Sequence, residues 1–590
     1  MRHLRWRSFA GPAVILLAAL VAVAPQLLRG NTCGHDFDFH LVSWFDALGS
    51  WHQGTLYPHW TRSANYGAGE PRFVFYPPLT WMAGAALGAL LPWALAPIAL
   101  TFLLLAGTGL ATRALARQAL DEAPATLAGC AAIFSGYALF CAYERSAFGE
   151  LAGGFWIPLA LLLMLREGPS GKWWLDAQAL LLALVVAGAW LSNAPVGVML
   201  CYLLAAVAVG LAVPARSCAP LLRACVGVAL GLGLAGAYLV PAAWEQRWVD
   251  IRQATSDPGE RIENSFLFAH HGDPSLALHD AELQRVSVIA AVMLGIAFGG
   301  LLLAWMRGRL GGWSQFPARR WWLISGLIPV AILVLQLPVS LPVWNLLPRL
   351  RFLQFPWRWL VALEAPMGIF LAAAVWPGPL ARRWTRIAAG TGCAGAFLAA
   401  TAMAGVLFFQ VCDDEDAVAP MTAVYRSGAG FVGTDEYAPL GADDTVVATG
   451  LPAGCLVSDP ARTLGLRGGD DPDANPAWNA DQHSCAAVLA ARGKPDHLRM
   501  AGQMPGAGWL VLRLRSFPAW RVTVNGQPAA FAPAREDGLM AVAVPQGRVE
   551  LAADWATTPD VLGGRWLSGL AALLLVGLWW LGRRSARADL

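Results

Sequence analysis

Residues 34–40, with the sequence GHDFDFH, follow directly on the first long apolar run of the chain. They place two carboxylates and two imidazoles at the edge of a predicted bilayer, where ionisable side chains are costly and commonly serve a function. If residues 36–50 are helical, Asp36 and His40 are four positions apart and share a face, whereas Asp38 points elsewhere. A carboxylate at this place could accept the proton of an attacking hydroxyl group. The alternative is a solvated loop whose Asp caps a short surface helix.

Two further segments carry ionisable residues that a bare membrane scaffold would not need. They are residues 143–150, with Tyr143, Arg145 and Glu150, and residues 349–358, with Arg349, Arg351 and Arg358. Three arginines in a predicted outer loop contradict the usual excess of basic residues in cytoplasmic loops, which suggests an anionic partner. Lipid headgroups in general are one such partner. A specific phosphate is the other, since arginine offers a planar, permanently charged fork to phosphate oxygens.

An outer-face carboxylate beside arginines describes a site for a lipid phosphate and a hydroxyl acceptor. Glycosidases need a second carboxyl group to protonate a poor alkoxide leaving group, whereas a phosphate leaves as a stabilised anion. One base and cations are therefore enough for glycosyl transfer from a polyprenyl-phosphate sugar. A carboxylate with a pKa of about 4 is a weak base, but it can take the proton late in the attack. Arginine would stabilise the charge growing on the phosphate.

The composition predicts an α-helical polytopic membrane protein. Of the 590 residues, 57% are hydrophobic and only 14% are charged, which is typical of that class. The basic N-terminus and the apolar run to Leu28 resemble a signal peptide. Because the run is too long for such a peptide's apolar core and no persuasive cleavage site follows it, we expect a first transmembrane helix that is retained.

The distribution of basic residues predicts about twelve spans with both termini in the cytoplasm. The predicted spans are 9–29, 95–117, 126–141, 152–166, 174–191, 196–213, 221–243, 286–305, 321–338, 358–377, 387–408 and 563–582. Five predicted inner loops then carry arginine or lysine. The apolar segment 77–93 is interpreted as a juxtamembrane or re-entrant helix on the outer face, because counting it as a span would move Arg113 and Arg117 outside.

The chain divides into three predicted parts. Residues 1–408 form the transmembrane domain, whose outer loop 30–94 carries the candidate active site. Residues 409–562 have the composition of a soluble domain, and their second half alternates as strands do around an Asn-Gly turn at 525–526. We expect a small extracytoplasmic β-sandwich there. Residues 563–590 form the last helix and a basic cytoplasmic tail.

Four cysteines fall on the predicted outer side, namely Cys33, Cys412, Cys455 and Cys485. Three pairings are open in a compartment that permits disulfides. We predict that Cys455 pairs with Cys485 inside the soluble domain. Cys33 and Cys412 would then be left to tie the Asp36 loop to the base of that domain, although chance placement explains this second pair nearly as well. No cysteine or histidine cluster has the spacing of a zinc site.

Several short motifs together resemble a group of bacterial and archaeal integral membrane proteins called "6-pyruvoyl-tetrahydropterin synthase-related". They are GHDxxFH at 34–40, FYPP at 75–78, YxRxxxxE at 143–150, QFPWR at 354–358 and PxWxVxxxG at 518–526. Nothing in the chain looks like a soluble pterin enzyme. The architecture is similar to that of the GT-C glycosyltransferases, such as protein mannosyltransferases and aminoarabinose transferases, which use a lipid-phosphate sugar and an Asp in the first outer loop.

The resemblance implies an inverting glycosyltransferase of the bacterial cytoplasmic (inner) membrane, acting in the cell envelope. It assigns Asp36 as the general base. His40, which we expect beside the acceptor, and Asp38, at a position that the pattern leaves open, are the other candidate catalytic residues. The expected partners are a lipid-phosphate-linked sugar donor, a glycan, lipid or protein acceptor, and membrane lipids; nucleic acid is not among them. We expect no cofactor, but Asp36 and Asp38 could together bind a divalent metal, as some GT-C members do.

The candidate substrate-binding residues come from these motifs, except Arg351, which comes from the charged segment 349–358. They are His35, Tyr143, Arg145, Glu150, Arg351 and Arg358. Arg145 and one of Arg351 or Arg358 would hold the lipid phosphate, and Glu150 would orient Arg145. Two other functions compete with this one: a transporter or flippase for lipid-linked glycans, and a non-catalytic assembly protein. A transporter should place charged or broken segments near the bilayer midplane, whereas the charges here lie mainly in loops.

The topology can be tested at its weakest point, the segment 77–93. A reporter enzyme fused after Arg117 is expected to report a cytoplasmic location, because only then do all five basic loops lie inside. A periplasmic signal would mean that 77–93 crosses the membrane. It would also move the Tyr143 segment to the side opposite Asp36.

Overall fold

A computed structural model describes residues 2–166, 176–310, 316–378, 380–443, 447, 450, 452–457, 459–460, 490–494 and 496–588. Its helices are α1 (Arg2–Ala22), α2 (Ala24–Arg29), α3 (Phe37–His52), α4 (Arg72–Phe75), α5 (Pro78–Leu90), α6 (Ala96–Ala116), α7 (Glu122–Ile133), α8 (Gly136–Tyr143), α9 (Phe148–Leu151), α10 (Gly153–Leu165), α11 (Ala177–Ser192), α12 (Ala194–Ala215), α13 (Ala219–Leu234), α14 (Gly236–Glu245), α15 (Gln253–Ser256), α16 (Ala277–Met306), α17 (Phe316–Leu335), α18 (Leu341–Leu346), α19 (Leu360–Val375), α20 (Arg383–Leu407), α21 (Val418–Ser427) and α22 (Pro559–Ala588).

The described chain is that of a multi-pass membrane protein, as predicted. By length and composition, seven helical stretches in the described ranges can cross a membrane, or up to ten if each of three bent pairs is one span. The bent pairs are α7 with α8, α13 with α14, and the stretches 319–335 with 338–346. Predicted spans 9–29 and 174–191 correspond to the shorter apolar helices α1 and α11. The count of about twelve spans stays a prediction.

Helix α5 falls in the segment interpreted as lying on the outer face. It has 13 residues, and at 1.5 Å per residue it is about 20 Å long, too short for a hydrocarbon core of about 30 Å. It packs against α3, where a Cβ atom on Gly84 would lie 2.0 Å from the ring of Trp44. The absence of a side chain at Gly84 therefore lets the two helices approach.

The C-terminal part contains a small β-domain, as the alternating pattern predicts. Its strands are β1 (Gly454–Val457), β2 (Ala490–Lys494), β3 (His497–Met504), β4 (Gly508–Arg515), β5 (Trp520–Val524), β6 (Gln527–Pro528), β7 (Leu539–Val544) and β8 (Gly547–Trp555). They form two antiparallel sheets, ordered β1-β4-β7 and β2-β3-β8-β5-β6. Alternate residues of β4, including Leu510 and Leu512, share one apolar core with Val522 and Leu551 of the other sheet.

The segment between α3 and α4 joins the membrane bundle to the β-domain through a buried ion pair. Arg72 Nε lies 2.7 Å from Glu70 Oε1, and both side chains are almost fully buried. Arg72 also donates to the Phe39 carbonyl at 3.0 Å and to Thr434 Oγ1 at 3.1 Å. Because charge buried without partners is expensive, this set of bonds specifies one arrangement of the helix, the loop and the chain leading into the β-domain.

A disulfide adds a covalent link to the same region. Cys33 and Cys412 are bonded, with their Cα atoms 4.8 Å apart, so the second of the two expected pairings is present. The Cys33 backbone also donates to the Gln410 carbonyl at 3.1 Å. Cys455 is disulfide-bonded as well, and its predicted partner Cys485 lies outside the described residues.

The Cys33–Cys412 link closes a loop of 379 residues and should stabilise the docked Asp36 segment. Disulfides typically contribute about 2 to 4 kcal/mol. We expect Cys33→Ser to lower the thermal midpoint of the purified protein in detergent. Cys218→Ser is the matched control, since Cys218 is an exposed free cysteine. Equal midpoints for the two variants and the wild type would contradict a stabilising role.

Candidate active site

Residues 34–40, the Asp36 segment, lie directly against residues 143–146. The Asp36 amide donates to the Arg145 carbonyl at 2.9 Å, and the Gly34 amide donates to Ser146 Oγ at 3.2 Å. A Cβ atom on Gly34 would lie 2.3 Å from the Glu144 carbonyl oxygen, so any larger residue would force the two segments apart. Two of the three segments that the sequence singles out are therefore in contact.

Asp36 occupies the N-cap position of α3, but its side chain makes no capping hydrogen bond. The capping alternative is thus not what the structure shows. The Asp36 carboxylate is 40% exposed, and its Oδ2 lies 3.8 Å from Nη2 of Arg145. The Asp36 carboxylate is therefore accessible to solvent, and it also forms an ion pair with the buried Arg145 side chain.

Arg145 lies among three carboxylates. Its Nη1 donates to Glu150 Oε2 at 2.9 Å, its Nη2 faces Asp36, and its Nε lies 3.9 Å from Glu282 Oε1. The Arg145 side chain is only 7% exposed, so the ion pairs offset the cost of removing its charge from water. Glu282, near the start of α16, was missed by the sequence analysis, because its distance along the chain gives no hint of this contact.

Arg358 supplies a second guanidinium to the same cluster. Its Nε lies 3.7 Å from Glu150 Oε1, and the hydroxyl of Tyr137 donates to that same oxygen. The Phe355 ring forms cation–π contacts with both arginines: its centroid lies 5.1 Å from Arg358 Cζ and 6.0 Å from Arg145 Cζ. Within the described ranges, the Nε atoms of both arginines are buried without a hydrogen-bond partner. Each guanidinium therefore has an Nε–H group that faces a carboxylate without forming a hydrogen bond.

The sequence proposes either Arg351 or Arg358 as the second phosphate ligand, and the structure places these two arginines in different surroundings. Arg351 is half-exposed and pairs with Glu263 at 2.6 Å. It also donates to Asn345. Arg358, in contrast, lies next to Glu150. Of the two, Arg358 is the one that shares a cluster with Arg145 and Asp36.

The other candidate residues lie in different surroundings. His35 and Asp38 are exposed on the surface of the loop and of α3. Tyr143 is fully buried, and its hydroxyl donates to the Ala22 carbonyl of α1. Its side chain thus contacts the bundle interior and not the arginine cluster.

His40 is buried in an aromatic cage, one helical turn after Asp36. Its ring lies 5.0 Å from that of Phe148 and 5.7 Å from that of Tyr76. Burial lowers the pKa of His40 from its usual 6.5 to about 4; the Asp36 carboxylate opposes this shift and the Arg72 guanidinium adds to it. The imidazole is therefore neutral near pH 7.

Glu260 is a titratable group near the cluster that the motifs did not reveal. Burial raises its pKa to about 7, with the charge of Asp257 adding to the shift and that of Arg358 opposing it. It belongs to the short helical turn at 258–260 in the loop before α16. The loop therefore brings a carboxyl group that titrates near neutral pH within electrostatic reach of Arg358.

A divalent metal shared by Asp36 and Asp38 stays a prediction. Positions two apart on a helix do not face each other, and Asp36 already faces the Arg145 guanidinium. Among the residues that the structure describes, no group of three or more His, Cys, Asp or Glu side chains is placed to hold a metal ion. The positive charge beside Asp36 comes from arginine.

Comparisons with known proteins assign no family to the chain. No protein-family model matches it, and no curated protein matches it. Among solved structures, it is similar to the archaeal oligosaccharyltransferase AglB from Archaeoglobus fulgidus in complex with an inhibitory peptide and a dolichol-phosphate, at 14% identity over 70% of this chain with a TM-score of 0.43. The Archaeoglobus fulgidus oligosaccharyltransferase in the apo form aligns at 13% identity over 72% of this chain, with a TM-score of 0.37.

The chain covers 57% of the length of each of these two structures. Both neighbours are oligosaccharyltransferases by name, and the pterin-synthase-related group is not shown. Similarity at this level does not transfer an activity. The function proposed below therefore rests on the geometry around Asp36.

The buried state of His40 predicts a pH dependence of stability. Between pH 4 and 6.5 the folded protein binds fewer protons at His40 than the unfolded chain does. The free energy of unfolding is therefore highest above about pH 6.5, and it decreases as the pH falls towards 4. The shift corresponds to about 3 kcal/mol. We expect His40→Phe to reduce the loss of thermal stability between pH 7.5 and pH 5.

The matched control for this measurement is His52→Phe, since His52 is exposed at the other end of α3. It should keep the pH dependence of the wild type. If His40→Phe lost stability on acidification as steeply as the control did, the imidazole would not be buried in its neutral form.

Proposed function

We propose that this protein is a membrane glycosyltransferase with a GT-C-like architecture that uses a polyprenyl-phosphate-linked sugar on the outer face of the bacterial cytoplasmic membrane. The observation that carries the proposal is the pairing of an accessible Asp36 carboxylate with the buried Arg145 guanidinium at 3.8 Å. A base and a cation so close together suit a reaction in which a proton leaves one oxygen while negative charge grows on a phosphate.

The proposed reaction balances with the residues of the cluster. The acceptor oxygen forms a bond to the anomeric carbon of the sugar, and the bond from that carbon to the phosphate oxygen breaks. The electron pair leaves with the phosphate, and the acceptor proton passes to Asp36. Attack from the face opposite the phosphate inverts the configuration at the anomeric carbon.

Arg358 and Arg145 would bind the lipid phosphate in this mechanism. Three of their ion pairs are loose, at 3.7, 3.8 and 3.9 Å between nitrogen and oxygen, which is longer than a good hydrogen bond. A phosphate bound by these arginines would therefore replace loose contacts and would leave the 2.9 Å bond between Arg145 and Glu150 intact. Glu150 would hold Arg145 in place, and the neutral His40 would help to shape the acceptor side.

One observation favours the rival function, transport of a lipid-linked glycan. Glu364 is buried in α19 inside the bundle, and Ser135, at the break between α7 and α8, donates to it at 3.3 Å. Broken helices and buried carboxylates inside a bundle are features of transporters. This pair lies within the spans, however, whereas the accessible carboxylate and both loosely paired arginines lie around the Asp36 segment.

The role of Asp36 can be tested by comparing two isosteric variants. Asp36→Asn keeps the size of the side chain but removes the proton acceptor, so glycan product in cells at equal expression should fall by roughly 10² to 10⁴. Asp38→Asn, a change to an exposed residue in the first turn of α3, should keep its activity. Full activity in Asp36→Asn would remove the catalytic assignment and favour the transporter. Loss in both variants would instead point to a metal shared by the two carboxylates.

The two arginines of the third segment form a second matched pair. Arg358→Ala should reduce both the reaction rate and the amount of lipid-linked donor that copurifies with the protein, since a phosphate contact acts in the ground state and the transition state. Arg351→Ala removes an exposed ion pair and should change neither by more than a few-fold. Mass spectrometry of the copurified lipids measures the binding part. Equal donor content in both variants would exclude Arg358 as the phosphate ligand.

A further inference from the structure

A large cavity is lined by none of the residues of the Asp36 cluster. Its volume is about 1120 Å³, and its walls come from α13, α14, α22 and the edge of the β-domain. Cavities that bind small ligands commonly measure roughly 300 to 1,000 Å³, so this one could hold a large ligand. Gly233 and Gly236, which lie at the 73° bend of the α13–α14 pair, belong to its lining.

Helix α14 separates this cavity from the outer loop that carries Asp36. One face of α14, including Leu239, Val240 and Ala243, lines the cavity. Buried residues of the helix make the inward contacts: the Tyr238 hydroxyl donates to the Phe75 carbonyl at 2.8 Å. A ligand in the cavity would therefore not reach the Asp36 carboxylate through α14.

The end of the cavity next to the β-domain is cationic. Arg247, just after α14, and Arg521, in β5, both line it. Both side chains are exposed, and neither forms an ion pair with a described residue. Arg247 Cζ lies 4.1 Å above the ring of Trp244, which is 52% exposed. Asp560 also lines this end, so two positive charges face one negative charge.

The other end of the cavity is apolar. Leu232 of α13 and Leu567 of α22 contribute to its walls, together with Leu239. These residues belong to helices that are candidate membrane spans, so this end lies among lipid-facing surfaces. An exposed tryptophan beside arginines at the opposite end is typical of the interface between the hydrocarbon and the headgroups.

We propose that this cavity binds a diacyl phospholipid of the surrounding membrane. The phosphate would lie between Arg247 and Arg521, and the acyl chains would extend along Leu232, Leu239 and Leu567. A soluble phosphate compound would leave the apolar end unfilled. A polyprenyl-phosphate donor would lie on the wrong side of α14 for transfer at Asp36. The proposal depends only on this cavity and not on the glycosyltransferase activity.

Native mass spectrometry of the full-length protein tests this site. The protein is purified in detergent, stripped of lipid and titrated with phosphatidylglycerol and phosphatidylethanolamine. We expect at least one tightly bound phospholipid in the wild type. A phosphate loses a charged hydrogen bond with each arginine that is removed, so Arg247→Ala combined with Arg521→Ala should weaken binding by roughly tenfold or more. Arg426→Ala, a change to an exposed arginine outside the cavity, should leave binding unchanged.

A second variant tests the apolar half of the site while keeping both arginines. Ala243→Phe places a ring on the cavity wall and should lower phospholipid occupancy without altering Asp36-dependent glycan product. Wild-type occupancy in both the double arginine variant and Ala243→Phe would overturn the proposal. So would an added polyprenyl phosphate that binds there in preference to both phospholipids, because the cavity would then serve the donor.

Discussion

The buried guanidinium of Arg145 is the group on which the arrangement of the site depends. A permanent charge with 7% exposure persists only where carboxylates surround it, and here α9, α16 and the Asp36 segment each supply one. The three acids come from distant parts of the chain. Their convergence on one cation brings the Asp36 segment, α9 and α16 together, and it leaves one carboxylate accessible from outside.

Aromatic side chains pack against this charged cluster. Phe355 stacks on Trp357 with centroids 4.3 Å apart and also faces both arginines. The rings of Tyr76 and Phe148 pack against His40, one turn after Asp36. Electrostatic interactions are stronger where water is excluded, so a modest number of charges can hold Asp36 and could bind a phosphate. The neutral state of His40 follows from the same exclusion of water.

Two connections hold the Asp36 segment and α3 in place against the helical bundle. The Arg72 ion pair joins the α3 backbone to the chain entering the β-domain. The Cys33–Cys412 disulfide joins the residue before Gly34 to the chain that follows α20. Neither the ion pair nor the disulfide involves the Asp36 carboxylate itself. The β-domain is thereby coupled to the candidate site, although the described residues of its strands supply none of the cluster's charges.

The sequence by itself determined the apolar helices, the strands around the Asn525-Gly526 turn and the three segments with unusual charges, because local composition and periodicity control these features. Only the tertiary structure decided that Arg358 joins the cluster while Arg351 pairs elsewhere, that Tyr143 points into the bundle, and that Cys33 meets Cys412. Glu282 and Tyr137 were missed for the same reason. Contacts between residues that are far apart along the chain depend on how helices pack, and hydrophobic periodicity does not encode which buried charges will face one another.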